Sequence, residues 1–531
     1  MSPSEDRSEQ HGAHATPGAS PSPEAASTAG RARRAVVVGA GLGGLSAAIR
    51  LAASGWRVTV YEQQSLPGGK AGSESRSDWR FDTGPSLLTM PYVLEQLFAE
   101  AGRTWTDYLA VERLEVICNY FWPDGTRLHA YGDPERFARE IEAKTGEPAD
   151  HVRRYLEYAG RIHEVASEIF LWHSLHDHRT WFSKLFWKRL LRLGQIDPLR
   201  TMNAANESFF EDPRVVQLFN RYATYNGSSP YRTPATLNII PFVEYVHGGY
   251  AVVGGIHSLP RALERLAGEL GVEIRYGEKV DRIVTTPTAP RGRRRSVATG
   301  VEVGSRFVPA DAVVSNVDVS VTYPQLLGDE DARQLHRYRR LEPSSSGLVF
   351  YWGMGERFPD LTVNNIFFGS DYPREFAEIF DEHRLPDDPT IYINITSKVT
   401  PSDAPSGGEN WFLLVNAPYV DRQDWASESA RMRETVIRRL SDSLGRDVSG
   451  AIVEEGVMTP EDIERRTMSY RGALYGIASN TRLASFARHP NRSPDYGGLY
   501  FCGGSAHPGG GMPLVMLSGK IAADLIRYDY A

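Results

Sequence analysis

The sequence predicts an α/β protein that opens on a parallel-sheet unit, leaves it for a long excursion, and returns to it twice. Three observations carry this. Ala35–Glu62 reads as strand, glycine turn, helix, strand and acid. Short buried strands reappear between Val272 and Asn316 after a helical, aromatic-rich stretch. A last buried strand, Leu499–Gly503, then runs into a glycine-rich loop and a closing helix, Met512–Tyr528.

Val36, Val37 and Val38 form a β-branched run suited to a strand buried on both faces. Gly39, Gly41 and Gly44 follow as GxGxxG. The first glycine permits a tight turn, the second lets backbone approach a diphosphate, and the third lets helix pack on strand. A helix over Leu42–Ser54 would aim its free N–H groups and positive dipole end at that diphosphate, and Gly55 stands where such a helix ends. Strand Arg57–Tyr61 leads to Glu62, about 20 residues after the first glycine, where a carboxylate accepts from ribose hydroxyls. This motif predicts a dinucleotide and leaves NAD and FAD equally open. Two further turns follow: SLPGGKAGSE, with Gly68, Gly69 and Lys70, and FDTGPS, with Gly84 and Pro85. Each suits backbone passing close to a long ligand, and each alone also suits a plain surface turn.

At 531 residues the chain is too long for one ordinary core, so at least two domains are expected. With 41% hydrophobic and 24% charged residues and a net charge of −7, it has the composition of a globular protein without a nucleic-acid partner. Cys118 and Cys502 are the only cysteines, which excludes a disulfide framework or a cysteine metal cluster, and no metal is expected. A cytoplasmic setting follows. No run approaches the roughly 18–20 apolar residues needed to cross a bilayer, so membrane contact would be peripheral. Residues 1–33 are rich in Ala, Ser, Pro and Gly and are expected to form a disordered tail.

In the excursion, strands Glu115–Trp122 and Arg127–Ala130 give way to helical patterns. Thr180–Leu193, TWFSKLFWKRLLRL, places Trp181, Leu185 and Leu191 on one helical face, with Lys184, Lys188, Arg189 and Arg192 supplying positive charge. A basic amphipathic helix of this kind lies in a membrane interface or packs as an ordinary core helix. Gly248–Leu270 is a glycine loop entering a helix; strands Val272–Tyr276 and Lys279–Thr285, a basic tip at Arg291–Arg295, and one buried strand, Phe307–Ser315, ending at Asn316, follow. Strands Gly347–Trp352, Thr390–Thr396 and Asn410–Asn416, with helices Ser427–Leu444 and Pro460–Arg466, suggest an antiparallel sheet carrying helices.

Five stretches in order are more specific than any one: GAGLGGLSAAIRLAASGWRVTVYE, LPGGKAGS, FDTGPSLLTMP, YNGSSPYRTPA (Tyr225–Ala235) and GGSAHPGGGMPLVMLSGK (Gly503–Lys520). Together they resemble the bacterial phytoene-desaturase family of FAD-dependent carotenoid dehydrogenases, across essentially the whole chain after Arg33. GGSAHPGGGMPL, GGENWFLLVNAP (Gly407–Pro418) and LYGIASN (Leu474–Asn480) resemble its hydroxycarotenoid 3,4-desaturase branch. The resemblance implies an α/β fold with a Rossmann-like FAD-binding domain (34–102, 245–316 and 490–531) interleaved with an α+β substrate domain (103–130 and 319–489) and a helical membrane-docking region (131–244). It implies FAD rather than NAD. It also places the backbone of Val280 at the adenine end, and Gly503, Gly504, Met512 and Pro513 at the flavin. The residues agree with that: a loop before a helix can turn N–H groups toward the flavin edge that becomes anionic on reduction.

The implied chemistry is desaturation of an acyclic carotenoid, at C3–C4 of a 1-hydroxylated one. A hydride goes to flavin N5, and a proton leaves the adjacent carbon. Such a polyene asks for an apolar tunnel, for which 10 Trp, 25 Tyr and 21 Phe supply material, with affinity from burial at about 25 cal/mol per Å². Glu244, in PFVEYVHGG, is either an acid/base or a strand-end carboxylate in a hydrogen bond. His507, expected close to the flavin, is either an acid/base or the residue that fixes the turn before Pro508. The site also works without a dedicated base. Cys502 is expected to be a small apolar filler. Because the substrate resides in a bilayer, peripheral docking on the cytoplasmic membrane through 180–193 is expected. Rival readings are a phytoene or diapophytoene desaturase, a carotenoid ketolase or oxygenase, and a non-catalytic lipid or prenyl-protein carrier, which would not need Gly39, Gly41, Gly44 and Glu62 together.

Overall fold

Five parallel strands form the central sheet of a computed structural model that describes residues 32–177, 179–180, 192–288, 296–481 and 488–531. Their order is Leu499–Phe501, Ala312–Ser315, Arg34–Val38, Arg57–Glu62, Glu273–Tyr276. The chain steps from Arg34–Val38 to one side first and reaches the other side only later. The carboxyl end of that strand is therefore a topological switch point, where open parallel sheets bind ligands. Helix Leu42–Ala53 and the closing helix Met512–Asp529 cover the sheet, back to back through glycines: a Cβ on Gly519 would stand 2.3 Å from the Gly43 carbonyl oxygen. Ser46 Oγ donates to the Met516 carbonyl across the same seam (2.6 Å).

A smaller sheet of Arg282–Pro287, Ser296–Val303 and Arg306–Pro309, with Tyr496–Gly497, lies beside it. Two expectations are corrected here. Phe307–Ser315 is not one strand: Arg306–Pro309 pairs antiparallel with Ser296–Val303, and Ala312–Ser315 joins the parallel sheet. Between them Asp311 turns the chain, its N–H donating to the Arg34 carbonyl and its carboxylate accepting from the Arg34 N–H (2.8 and 2.7 Å). The strand expected from Lys279 starts at Arg282 and belongs to the smaller sheet, so Val280 precedes a strand that is not beside the first one.

A seven-stranded sheet runs Ile452–Met458, Ser346–Met354, Glu409–Ala417, Ile391–Asn394, Asn364–Phe367, Val116–Phe121, Arg127–Tyr131. It is antiparallel except where Asn364–Phe367 meets Val116–Phe121. Leu348, Phe350, Trp352 and Met354 pack under helix Trp425–Leu444, and the alternate residues face inward, as period-2 strands require. Helices Pro134–Thr145, Ala149–Phe170, Pro213–Asn220 and Ile239–His247 pack around Phe137, Tyr155, Phe219 and Tyr245. The first of these is bounded by readable signals: the Asp133 side chain accepts from Arg136 N–H, Pro134 opens it, and Gly146 ends it at φ 82°. Glu244 stands on helix Ile239–His247 rather than at a strand end; Pro241 fits its first turn.

The tail up to residue 31, residues 181–191 of the amphipathic segment and the tip 291–295 lie outside the described residues. Among the described residues no helix is long and apolar enough to cross a membrane.

Gly519→Ala tests the helix seam. The added methyl meets backbone on two sides, and overpacking of this kind costs about 1–3 kcal/mol. Its thermal midpoint should fall by several degrees, whereas Gly268→Ala, at an open helical position, should leave it unchanged or raise it.

Candidate cofactor and substrate cavity

A cavity of about 730 Å³ opens at the carboxyl ends of the parallel strands and continues to the inner face of the seven-stranded sheet. Its first wall is backbone. Gly39, at φ 98°, donates its N–H to the Tyr61 carbonyl (2.8 Å). A Cβ on Gly41 would stand 2.6 Å from Asn316 Nδ2, and one on Gly44 would stand 2.1 Å from the Gly39 carbonyl oxygen. Glu62, buried at the strand end, accepts from Ala40 N–H (2.7 Å) and Gln64 N–H (2.9 Å). Gly68 donates to the Ala40 carbonyl (2.9 Å), which lays the Gly68–Gly69 turn against the glycine turn. A Cβ on Gly84 would fall 2.0 Å from the Lys70 carbonyl oxygen. Val280 lines the cavity from a loop held by Glu278 N–H on the Glu62 carbonyl (3.1 Å) and Gly277 N–H on the Gln64 carbonyl (3.0 Å).

The far chain end supplies the next wall. Gly503, Gly504, Met512 and Pro513 line the cavity, and a Cβ on Gly503 would stand 2.8 Å from Asn316 Oδ1. Gly511 caps the closing helix at φ 104° without a side-chain acceptor, leaving the first-turn N–H groups to the cavity side. Of the sequence-predicted cofactor residues, Gly39, Gly41, Glu62, Gly68, Gly69, Lys70, Gly84, Pro85, Val280, Gly503, Gly504, Met512 and Pro513 line this one space. Gly44 stands behind the turn. A cradle of glycines that any Cβ would fill, an acid at the strand end and an uncapped helix fit a long diphosphate dinucleotide.

Lys70 projects into this half, its Nζ donating to the Ala473 and Leu474 carbonyls (3.0 and 2.8 Å). Burial lowers its ammonium to about 8, partly opposed by nearby Asp318. Burial in turn raises the Asp318 carboxyl.

The other half is mostly apolar: Ile117, Val349, Ile366, Phe412 and Leu414 from the sheet, joined by Leu87. Polar groups interrupt it at two places. Ser86 Oγ meets Tyr392 Oη (2.5 Å), which donates to Asn364 Oδ1 (2.7 Å). Glu244 accepts from Tyr222 Oη (2.7 Å), Tyr225 Oη (2.5 Å) and Arg221 Nη2 (3.0 Å), and Arg221 Nε donates to Tyr120 Oη (2.6 Å). Burial pulls the Arg221 guanidinium down, and Tyr120, Tyr222, Tyr225 and Glu244 more than reverse it. Arg221, Tyr225 and Glu244 all line the cavity.

His507 does not. Its imidazole is buried behind the loop with Nε2 donating to the His173 carbonyl (3.0 Å), and burial, with His176 adding, lowers it to about 3. It is therefore neutral, and its side chain does not line the cavity. Its carbonyl accepts from Asn491 Nδ2 and Ser518 Oγ (2.7 and 2.8 Å), so it holds the turn. Cys502 is buried, and burial pushes its thiol up. Among the described residues no group of His, Cys, Asp and Glu could hold a metal ion. Sequence reasoning missed Asn316, Arg221 and Tyr392. Only Asn316 had a local signal, directly after a buried strand at a switch point.

The model of the family "flavin containing amine oxidoreductase" matches residues 42–527. The chain is 40% identical over 494 residues to a 1-hydroxycarotenoid 3,4-desaturase of Flavobacterium sp. (strain P99-3), covering 93% of this chain and 99% of that protein. It is 37% identical over 493 residues to a 4,4'-diaponeurosporene oxygenase of Staphylococcus aureus (strain MRSA252), covering 93% and 97%. A solved oxidoreductase of Methanosarcina mazei matches with a TM-score of 0.60 at 16% identity, covering 93% of this chain and 100% of that one, which shows a shared fold.

Lys70 makes a pH prediction. Its charge attracts a diphosphate while protonated, below about pH 8, and is lost above it. FAD affinity of the apoprotein should be flat below pH 8 and fall above, approaching tenfold per unit for one proton. Lys70→Arg should remove the slope in a fluorescence titration; a slope that persists would clear Lys70 of the role.

Proposed function

The chain belongs to the flavin-containing amine oxidoreductase family and is an FAD-dependent oxidoreductase; within it we propose desaturation of an acyclic carotenoid, at C3–C4 of a 1-hydroxylated substrate. The observation that carries this reading is one continuous cavity joining the glycine cradle to an apolar sheet face, in a chain 40% identical to a protein of that named activity. In this reading 34–102, 245–316 and 490–531 form the FAD-binding part. Glu62 and Val280 hold the adenosine end; Gly39, Gly41, Gly68, Gly69, Lys70, Gly84 and Pro85 hold the middle with its diphosphate; and Gly503, Gly504, Met512 and Pro513 hold the flavin.

Bound FAD supplies a two-electron acceptor for hydride. The protein's own residues do the rest. Val349, Ile366, Phe412 and Leu414 hold the polyene by burial and exclude water. Ser86, Tyr392 and Asn364 offer the placed polar group that a substrate hydroxyl requires. Glu244 receives the proton through Tyr225: the Tyr225 oxygen accepts it from substrate while its own proton passes to Glu244 Oε2 along the existing hydrogen bond. Arg221 and Tyr222 keep Glu244 anchored as acceptor. His507 has no part in the reaction.

The identity to a diaponeurosporene oxygenase favours a second reading, oxygenation of a carotenoid end. The chain expressed in cells that make 1-hydroxylated acyclic carotenoids should yield products lighter by two hydrogens. Products that gain oxygen would select the second reading, and an unchanged profile from flavin-loaded enzyme would sink both. Tyr225→Phe and Glu244→Gln should lower kcat on the order of 10²-fold with little change in FAD content. We place the protein peripherally at the cytoplasmic face of the membrane, docked through the basic aromatic segment 180–193 on the strength of its sequence. Trp181→Glu with Trp187→Glu should then weaken co-sedimentation with anionic liposomes, and unchanged binding would refute that surface.

A further inference from the structure

Arg488 lies directly behind the terminal glycine loop and is 2% exposed. Nη1 donates to the Tyr475 and Gly504 carbonyls (3.0 and 2.9 Å), and Nη2 to Asn226 Oδ1 and the Ile477 carbonyl (3.0 and 3.2 Å). All four acceptors are neutral. Among the described residues no carboxylate pairs with this guanidinium. Of the ionisable groups around it, Tyr338 is raised by burial, and His489 and His507 are each lowered by burial to about 3; beyond them, burial raises Asp318 at Tyr338, and Arg337 at His489 is a further cation rather than a counter-charge. A buried charge without a counter-charge is costly, and arginine does not relieve the cost by losing its proton. A tie among four acceptors draws on the fork of N–H groups that a guanidinium supplies, and the charge that comes with that fork is left uncancelled by the four neutral oxygens.

The cation sits one layer of backbone from the cavity. Tyr475 and Gly504 line the cavity while Arg488, which does not line it, holds their carbonyls, and a Cβ on Gly509 would stand 2.7 Å from the guanidinium carbon. This is the loop on which the proposed function seats the flavin. In the reductive half-reaction a substrate C–H bond breaks, and its hydrogen and two electrons pass to FAD. The neighbouring carbon gives its proton to the protein, and a C=C bond forms. Reduced flavin is left with one negative charge. A fixed positive charge in a low-dielectric wall stabilises that state over the oxidised one.

We propose that Arg488 is a potential-setting residue: an uncompensated cation behind the Gly503–Gly511 loop that stabilises reduced, anionic flavin, acting through the loop without touching substrate. The inference rests on the proposed seating of FAD, and its test reads the flavin rather than turnover. The midpoint potential of FAD-loaded protein is measured by reductive titration against a reference dye for wild type, Arg488→Lys, Arg488→Met and Asn226→Asp. Asn226→Asp keeps the arginine and its ties and places a carboxylate 3.0 Å from it. Arg488→Met and Asn226→Asp should weaken the reduced form against the oxidised at least tenfold, a fall of about 30 mV for a two-electron couple. Arg488→Lys should stay within threefold of wild type. An unmoved potential in Asn226→Asp, or Arg488→Lys falling as far as Arg488→Met, would overturn the proposal in favour of a structural tie. If Arg488→Met fails to retain FAD, Asn226→Asp decides alone. A wild-type chain that binds no FAD would instead overturn the seating on which the inference stands.

Discussion

Backbone pressed against the Asn316 side chain is the constraint on which the rest of the molecule depends. Cβ atoms on Gly41, Gly43 and Gly503 would fall 2.6, 2.7 and 2.8 Å from its amide. Segments from the two ends of the chain and its middle therefore meet around one residue. Each interior glycine loses about 0.5–1 kcal/mol relative to alanine. That loss is offset where closeness allows dense packing, as along Gly43 and Gly519, where Leu45, Ala48, Leu517 and Ile521 are nearly sealed from solvent. Gly41, Gly43, Asn316 and Gly503 also line the cavity, so the packing that closes the fold shapes the cofactor cradle.

Much of this was legible because it is local. Val36–Val38, the glycine spacing and Glu62 announce strand, turn, helix and acid within thirty residues or so, and Asp133, Pro134 and Gly146 bound a helix by chemistry any reader can apply. What failed was long-range. Nothing in FVPADAVVS says that the chain changes sheets at Asp311; that turn is made by Arg34, far away in sequence. Val280 kept its place beside the cavity although the strand assigned to it starts two residues on, because the loop hangs from Glu62 and Gln64. Glu244 is marked in the sequence only by its stretch, PFVEYVHGG, and its partners Arg221, Tyr222 and Tyr225 come from another element.

The cavity's two halves solve different problems. At the nucleotide end the protein exposes backbone and one strand-end acid, with Lys70 lowered but still able to carry charge near neutrality. At the sheet end it offers apolar side chains, and the few polar groups there are already engaged: Glu244 by three donors, Tyr392 between Ser86 and Asn364. Engaged polar groups keep water ordered out of an apolar site, since unpaired ones would draw it in. The Arg221–Glu244 ion pair in this half is enclosed by Tyr120, Tyr222 and Tyr225, which satisfy its remaining donors and acceptors.

The central claim is that electrons leave a polyene directly for protein-bound FAD. The most direct measurement is a single turnover without dioxygen, mixing flavin-loaded enzyme with vesicles carrying a 1-hydroxylated acyclic carotenoid. The account predicts that flavin absorbance bleaches as the polyene spectrum shifts to longer wavelength, with one molecule of product, two hydrogens lighter, per flavin reduced. A flavin that stays oxidised until dioxygen is admitted, or a product that carries new oxygen, would contradict it.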